Sequence, residues 1–99
     1  MQLARVIGSV VATRKEDELE GLKFLLLEGT TPQGKGRDSF VVAVDAVGAG
    51  AGDLVMYASG SSARQTTKTK DRPVDATVMA IVDLVEDQGG LAYDKSDDV

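Results

Sequence analysis

Hydrophobic residues along this chain cluster in short runs whose length and composition are typical of β-strands. The run Leu3–Thr13 is rich in valine, and Gly8 within it indicates a bulge or a bend of a barrel. Leu22–Leu27 has apolar residues on both faces, as expected for a strand that is covered on both sides. Leu54–Ala58 predicts another strand. Ser39–Val47 predicts one more, and its alternation places on one face Phe40, Val42, Val44 and Ala46.

Charged or glycine-rich segments separate these runs and predict turns. Arg14–Gly21 is a charged turn and Gly29–Arg37 a hairpin loop by composition. Ser61 or Ser62 is a candidate cap for one short helical turn, because a serine hydroxyl accepts hydrogen bonds from free amides at a helix start. Val74–Glu86 permits helical spacing, but its four valines, one isoleucine and one threonine favour a single long strand.

About five short strands joined by glycine-rich turns predict an all-β fold, a small OB-like antiparallel barrel with one short helical turn. The length of 99 residues suits one domain. We place the barrel at residues 1–87 and an acidic C-terminal tail at residues 88–99, with a short β-segment expected around Leu91–Tyr93.

The composition excludes several kinds of chemistry. The chain has neither cysteine nor histidine, which removes thiol nucleophiles, disulfides, imidazole bases and most zinc sites. The absence of cysteine suits a cytoplasmic protein. The N-terminal stretch lacks the pattern of a signal peptide, and no run of about 18 apolar residues predicts a membrane span. The formal net charge of −5 disfavours binding to nucleic acid, which draws on lysine and arginine.

Two glycine-rich stretches resemble nucleotide-binding motifs without matching them. Gly29–Gly36 follows the phosphate-binding loop except at its last position, where Gly36 has no hydroxyl, and the next segment is a predicted strand instead of a helix. Gly48, Gly50 and Gly52 lack the third glycine of the dinucleotide pattern, since Asp53 occupies that position. We interpret the second stretch as a tight connection whose small residues allow another subunit to approach closely.

Serines and carboxylates give no catalytic set. A nucleophilic serine within Ser59–Arg64 has no histidine to activate it, so a helix cap at Ser62 and an interface donor at Arg64 are the preferred roles. Asp45, Asp75 and Asp83 interrupt apolar strands, where each carboxylate is expected to bind turn amides or an arginine across an interface.

Four segments of the chain resemble a known family. They are LARVIGSVVATRK, LKFLLLE, DAVGAGAGDLVMYASGSSAR and RPVDATVMAIVD, and together they extend from Met1 to about Glu86. This order and spacing is similar to that of the CcmL/EutN family, the vertex proteins of bacterial microcompartment shells. One position departs from the pattern, because Asp53 stands where the family usually has glutamate. A shorter acid keeps the charge but changes the reach of any contact.

The resemblance implies a homopentamer that caps the five-fold vertices of a polyhedral shell, in a carboxysome or a metabolosome in the cytoplasm. It implies hexameric and trimeric shell proteins as partners, and it implies no catalysis, cofactor, metal, nucleic acid or membrane. Carried over residue by residue, it places at the contact with neighbouring shell proteins Thr13, Arg14, Gly48, Ala49, Gly50, Ala51, Gly52 and Asp53. It places at the subunit interface or the pore Ser59, Gly60, Ser61, Ser62 and Arg64.

One alternative from another class remains, a stand-alone OB-type module for single-stranded nucleic acid or a small ligand. Such modules stack bases on aromatic side chains in a basic groove. The few aromatic residues are scattered along an acidic chain, which disfavours this alternative; they are Phe24, Phe40, Tyr57 and Tyr93.

Overall fold

The computed structural model describes residues 1–97, so the last two residues of the predicted tail lie outside the described part. The strands are β1 Gln2–Val10, β2 Phe24–Thr30, β3 Gly36–Asp45, β4 Leu54–Ser59, β5 Ala76–Ile81, β6 Leu84–Asp87 and β7 Gly90–Asp94. The helical elements of the described chain are three short 3₁₀ turns, Asp17–Leu19, Gly60–Arg64 and Lys95–Asp97. The all-β prediction is therefore confirmed.

Five strands close into a barrel in the order β1-β2-β3-β5-β4, with β4 pairing back onto β1. All neighbouring pairs are antiparallel except β3 and β5, which run parallel through Val44–Thr77 and Asp45–Val78. The barrel is thus mixed where the sequence predicted an antiparallel one. The reason is geometric, because an odd number of strands cannot alternate in direction around a closed ring.

The interior of the barrel is filled by small and branched side chains from the inward faces of the five strands. Val6 and Leu27 pair across β1 and β2, and both are buried. The register of this pair shifts between Val6 and Gly8, which confirms the bulge predicted at Gly8. The buried core comprises Ala4, Val6, Leu25, Leu27, Ala43, Ala49, Val55, Tyr57, Ala76 and Val78.

The single long strand predicted at Val74–Glu86 is wrong, because the chain leaves the barrel after Ile81. The amide of Val82 donates to the carbonyl of Leu54 at 2.8 Å, and β6 and β7 then form a separate hairpin. Tyr93 of this hairpin packs with Leu54 and Val82 in a second cluster on the outside of the barrel. The predicted boundary between residues 87 and 88 lies in the hairpin turn, and the division into barrel and tail stays a prediction.

Candidate assembly site

The segment that joins β3 to β4, residues 46–53, is called the glycine loop here. Its first half is shaped by Asp45, a residue that is 4% exposed. One oxygen of this carboxylate, Oδ1, accepts hydrogen bonds from the amides of Val47, Gly48 and Ala49 at 3.1, 3.0 and 3.2 Å. The other oxygen, Oδ2, lies 3.9 Å from Nζ of Lys23. The prediction that Asp45 binds turn amides is confirmed, and the carboxylate fixes the path of the loop.

The second half of the glycine loop is closed by Asp53. The amide of Gly50 donates to Oδ2 of Asp53 at 2.8 Å, and the amide of Asp53 donates to the carbonyl of Gly50 at 3.1 Å. The loop is also joined to β1, since Gly52 N donates to Val6 O at 2.8 Å and Val6 N to Asp53 O at 2.9 Å. The aspartate at this position therefore serves the loop itself, with its remaining oxygen 3.8 Å from Nζ of Lys95.

Arg5 of β1 ties the glycine loop to two distant parts of the chain. Its Nη1 donates to the carbonyl of Gly52 at 2.9 Å, and its Nη2 donates to the carbonyl of Gly34 at 3.1 Å. The guanidinium lies 5.9 Å from the centre of the Tyr93 ring. Sequence reasoning missed Arg5, Tyr93 and Lys95, because an isolated charge in a strand or tail gives no signal of a contact made across the fold.

Different structural constraints act on the small residues of the glycine loop. Gly48 and Gly52 have φ of +79° and +91°, a backbone conformation that favours glycine whatever surrounds it. Ala49 is 1% exposed and belongs to the barrel core, so its side chain is not available to a neighbouring protein. Gly50 has no such strain, and a Cβ there would have as its nearest neighbour Oδ2 of Asp53 at 3.9 Å. Gly50 and the exposed Ala51 are thus positions where this chain by itself sets no limit on size.

Thr13 and Arg14 are exposed in the segment that follows β1, which ends at Val10. β1 also carries Val6, which hydrogen-bonds to the glycine loop. That these two residues act together with the loop in one contact stays a prediction.

The helical turn predicted near Ser61 is present, but its start and its cap differ from the prediction. The turn begins at Gly60, and the residue before it, Ser59, makes no capping hydrogen bond with its side chain. The predicted cap at Ser62 is wrong, because Ser62 lies inside the turn and contributes its carbonyl, which accepts from Gln65 N at 3.2 Å. The buried Ala63 anchors the turn instead, since its carbonyl accepts from the hydroxyls of Thr69 and Thr77 at 2.8 and 2.7 Å.

The predicted residues of this turn are exposed, and their place at a subunit interface or the pore stays a prediction: Ser59, Gly60, Ser61, Ser62 and Arg64. Nη1 of Arg64 donates to the carbonyl of Val74 at 3.1 Å, which holds the side chain against its own chain. Arg72 likewise bonds within the chain, since its Nη1 donates to the carbonyls of Glu18 and Glu20 at 3.0 and 2.9 Å.

The other chemistries considered from the sequence find little support. The phosphate-loop candidate is a hairpin turn that leads into β3, so it has no helix N-terminus to offer an anion. Tyr57 and Tyr93 are buried and cannot stack on a nucleic-acid base. Within residues 1–97 there is no group of three or more acidic, cysteine or histidine side chains placed to hold a metal. No helix of that described part is long and apolar enough to cross a membrane.

These features define a small mixed β-barrel that presents a firmly held, glycine-rich loop on its surface. Residues 1–83 match the family described as ethanolamine utilisation protein EutN/carboxysome. The chain belongs to this family.

Relatives of known name are similar over almost the whole chain. The carboxysome shell vertex protein CcmL of Synechocystis sp. is 44% identical over 98 residues, which cover 99% of this chain and 98% of that protein. The bacterial microcompartment shell vertex protein EutN of Escherichia coli is 42% identical over 95 residues, which cover 96% of this chain and all of that protein.

Solved structures show the same fold. The structure of Gloeobacter violaceus CcmL superposes with a TM-score of 0.92 at 42% identity, covering 97% of this chain and 99% of that one. The structure of GrpN from Rhodospirillum rubrum, a pentameric microcompartment shell protein, superposes with a TM-score of 0.81 at 44% identity and covers 88% of this chain and 99% of that one.

Proposed function

We propose that this chain assembles into homopentamers that cap the five-fold vertices of a bacterial microcompartment shell. The observation that carries the proposal is the likeness to shell vertex proteins, which extends over at least 96% of both chains for CcmL and EutN alike. The place of the protein is accordingly in the shell of a carboxysome or of another microcompartment.

The role of such a unit is geometric. A flat layer of hexagonal tiles cannot close on itself, and units with five-fold symmetry supply the curvature that closure needs. In a ring of five, one surface of each protomer contacts a different surface of the next protomer. The ring closes when the rotation between neighbouring protomers returns to the first copy after five steps. Each protomer therefore needs one pair of surfaces for its own neighbours and a further surface for the surrounding tiles.

The glycine loop is the surface that we assign to the neighbouring tile, with Thr13 and Arg14 beside it. Asp45 and Asp53 accept hydrogen bonds from amides of the loop, so the conformation of the loop is fixed without a partner. Gly50 and Ala51 are exposed and carry almost no side chain, which allows another backbone to come close.

The surrounding tiles in this proposal are hexameric and trimeric shell proteins, and the turn at Ser59–Arg64 lies near the subunit boundary or the pore. The proposal includes no catalytic step and no cofactor, metal, nucleic acid or membrane as a partner.

Native mass spectrometry of the purified chain tests the assembly. We expect a species of five copies of the 10.4 kDa chain at micromolar concentration. A monomer under these conditions would overturn the proposal.

A further inference from the structure

Parts of the chain outside the barrel cover the outer face of some strands and leave that of others exposed. The β6–β7 hairpin covers β1 and β4, where Leu3 and Met56 pack against the cluster around Tyr93. The segment after β4 covers β5, where Ala63 and Thr69 lie over the buried Thr77. Within residues 1–97, no segment of the chain covers the outer face of β2 and the adjoining parts of β1 and β3 in this way, since Leu26 is only half-buried and Phe40 and Val42 are exposed.

This bare area, called the open sheet face here, is largely apolar, and it also includes Glu28 of β2, which lies opposite Phe40 and accepts a hydrogen bond from the amide of Asp38 at 3.0 Å. Phe40 and Val42 of β3 are 57% and 46% exposed, and Ile7 and Val10 of β1 are also exposed. Five of the nine large hydrophobic side chains that are exposed in the described chain lie on β1, on β3 or directly after β1, namely Ile7, Val10, Val11, Phe40 and Val42. Such a concentration on a small protein marks a surface that another molecule covers.

The strand register shows that the face is continuous. Gly8 of β1 pairs with Leu26 of β2, and Leu26 pairs with Val42 of β3, which puts the three residues in one row across the sheet. Leu26 is half-buried, although the sequence of β2 is that of a strand covered on both sides. Gly8 leaves the row open at its end, since a Cβ there would meet nothing within 4 Å. An apolar row with open space at one end is suited to close packing by another protein.

We infer that the open sheet face is one half of the contact between neighbouring copies of this chain, and that Phe40 and Val42 are its central side chains. The inference rests on the proposed pentamer and adds the surface that builds it. The occupant is a second copy, because pentameric relatives with this fold must bury a surface between subunits and the face has the apolar character of such an interface. In a ring, the complementary half lies on a different surface of the neighbour.

The test replaces Phe40 and Val42 together by threonine, which keeps the β-propensity of the strand and removes apolar surface. The matched control replaces Leu84 and Leu91, which are 51% and 59% exposed on the separate β6–β7 hairpin, by threonine. We expect the first variant to keep the wild-type circular dichroism and to lose the pentamer in native mass spectrometry, with an affinity at least about 30-fold weaker. We expect the control to remain pentameric.

The chain has no cysteine, so Val42→Cys introduces a single thiol. The reactivity of this thiol is a second measure of whether position 42 is covered in the intact assembly. Its labelling by a maleimide should be at least about tenfold slower than that of Leu84→Cys in the native pentamer, and equal to it in urea.

A pentamer that persists in the Phe40/Val42 variant, or a Val42→Cys thiol that reacts as fast as the control, would overturn the inference while leaving the proposed function intact. Equal dissociation of the two threonine variants would also overturn it, because loss of any apolar surface would then suffice. A monomeric wild type would instead overturn the proposed function itself.

Discussion

Arg5 holds the carbonyl oxygen of Gly52 at 2.9 Å from its Nη1, although 47 residues separate the two in the chain. The same guanidinium donates to Gly34 at 3.1 Å and faces the ring of Tyr93. One side chain thus joins β1, the β2–β3 turn, the glycine loop and the C-terminal hairpin. The loop proposed to meet the neighbouring tile is therefore held by the carboxylates of Asp45 and Asp53 and by Arg5, which also contacts Tyr93 of the C-terminal hairpin.

Replacing Arg5 by methionine is expected to loosen this junction. The stem is retained and two charge-assisted hydrogen bonds are lost, so we expect the free energy of unfolding to fall by about 1–2 kcal/mol. Arg5→Lys should recover less than half of this loss, because one ammonium group does not reproduce the two-pronged geometry. Urea unfolding measures the stability, and hydrogen exchange should show faster exchange at the amide of Gly52.

The control for Arg5 is Arg37→Met, which removes an exposed positive charge at the start of β3. It should change the stability by less than about 0.5 kcal/mol. An unchanged exchange rate at Gly52 in Arg5→Met would contradict the role that we give to the guanidinium.

Asp45 makes a larger contribution, because its carboxylate accepts from three loop amides in a buried place. Asp45→Ala should lower the free energy of unfolding by about 2–4 kcal/mol, since the amides lose their acceptor. Asp45→Asn retains one acceptor oxygen and should lose less than half as much. Lys23→Met, which removes the partly exposed charge 3.9 Å away, should cost under about 1 kcal/mol. A thermal unfolding series compares the three, and an equal loss in all of them would contradict this assignment.

The barrel could be predicted from the sequence because each strand carries its own signal. Valine-rich runs and the glycine at the bulge identified β1 to β4 to within a few residues at each end. The end of β5 could not be predicted, because β-branched residues favour a strand equally on both sides of Ile81, and the chain turns away there to pack Val82 against Leu54. The parallel β3–β5 pair follows from closing five strands into a ring, which no single segment reveals.

The candidate site was predictable only in part for a similar reason. The glycine loop stands out as a run of small residues, and Asp45 as a carboxylate at the end of an apolar strand. The sequence could not separate Gly52, which the backbone conformation requires, from Gly50, which it does not. It also gave no indication of Arg5 or Lys95, because both act on residues that the fold alone brings near.

Gly50 and Gly52 form a matched pair for testing the glycine loop. Gly52→Ala places a Cβ on a left-handed backbone and should cost about 1–2 kcal/mol. Gly50→Ala meets no strain and should stay within about 0.5 kcal/mol of the wild type in chemical unfolding. Equal losses in the two variants would show that the backbone at Gly50 is also constrained.

Gly50→Leu then separates folding from assembly. The side chain has room in the isolated chain, so the variant should keep its pentameric mass. It should fail to close shells when it is co-expressed with the tile proteins, because the added bulk separates the loop from its neighbour. Electron microscopy counts the closed particles. Closed shells in wild-type numbers would refute the assignment of the glycine loop to the tile contact.

The turn at Gly60–Arg64 depends on one carbonyl oxygen, that of the buried Ala63, which accepts from both Thr69 and Thr77. Thr77→Val and Thr69→Val should each cost about 1 kcal/mol, since the carbonyl keeps one donor in either single variant. The double variant leaves it buried without a donor and should cost about 1 kcal/mol more than the sum of the two. Thr30→Val is the control, because the Thr30 hydroxyl is buried with no hydrogen-bond partner in the described chain, and its removal should be neutral or stabilising. Thermal unfolding of the wild type, the two single variants and the double variant completes the cycle, with Thr30→Val measured beside it, and strict additivity would mean that the two threonines do not share this carbonyl.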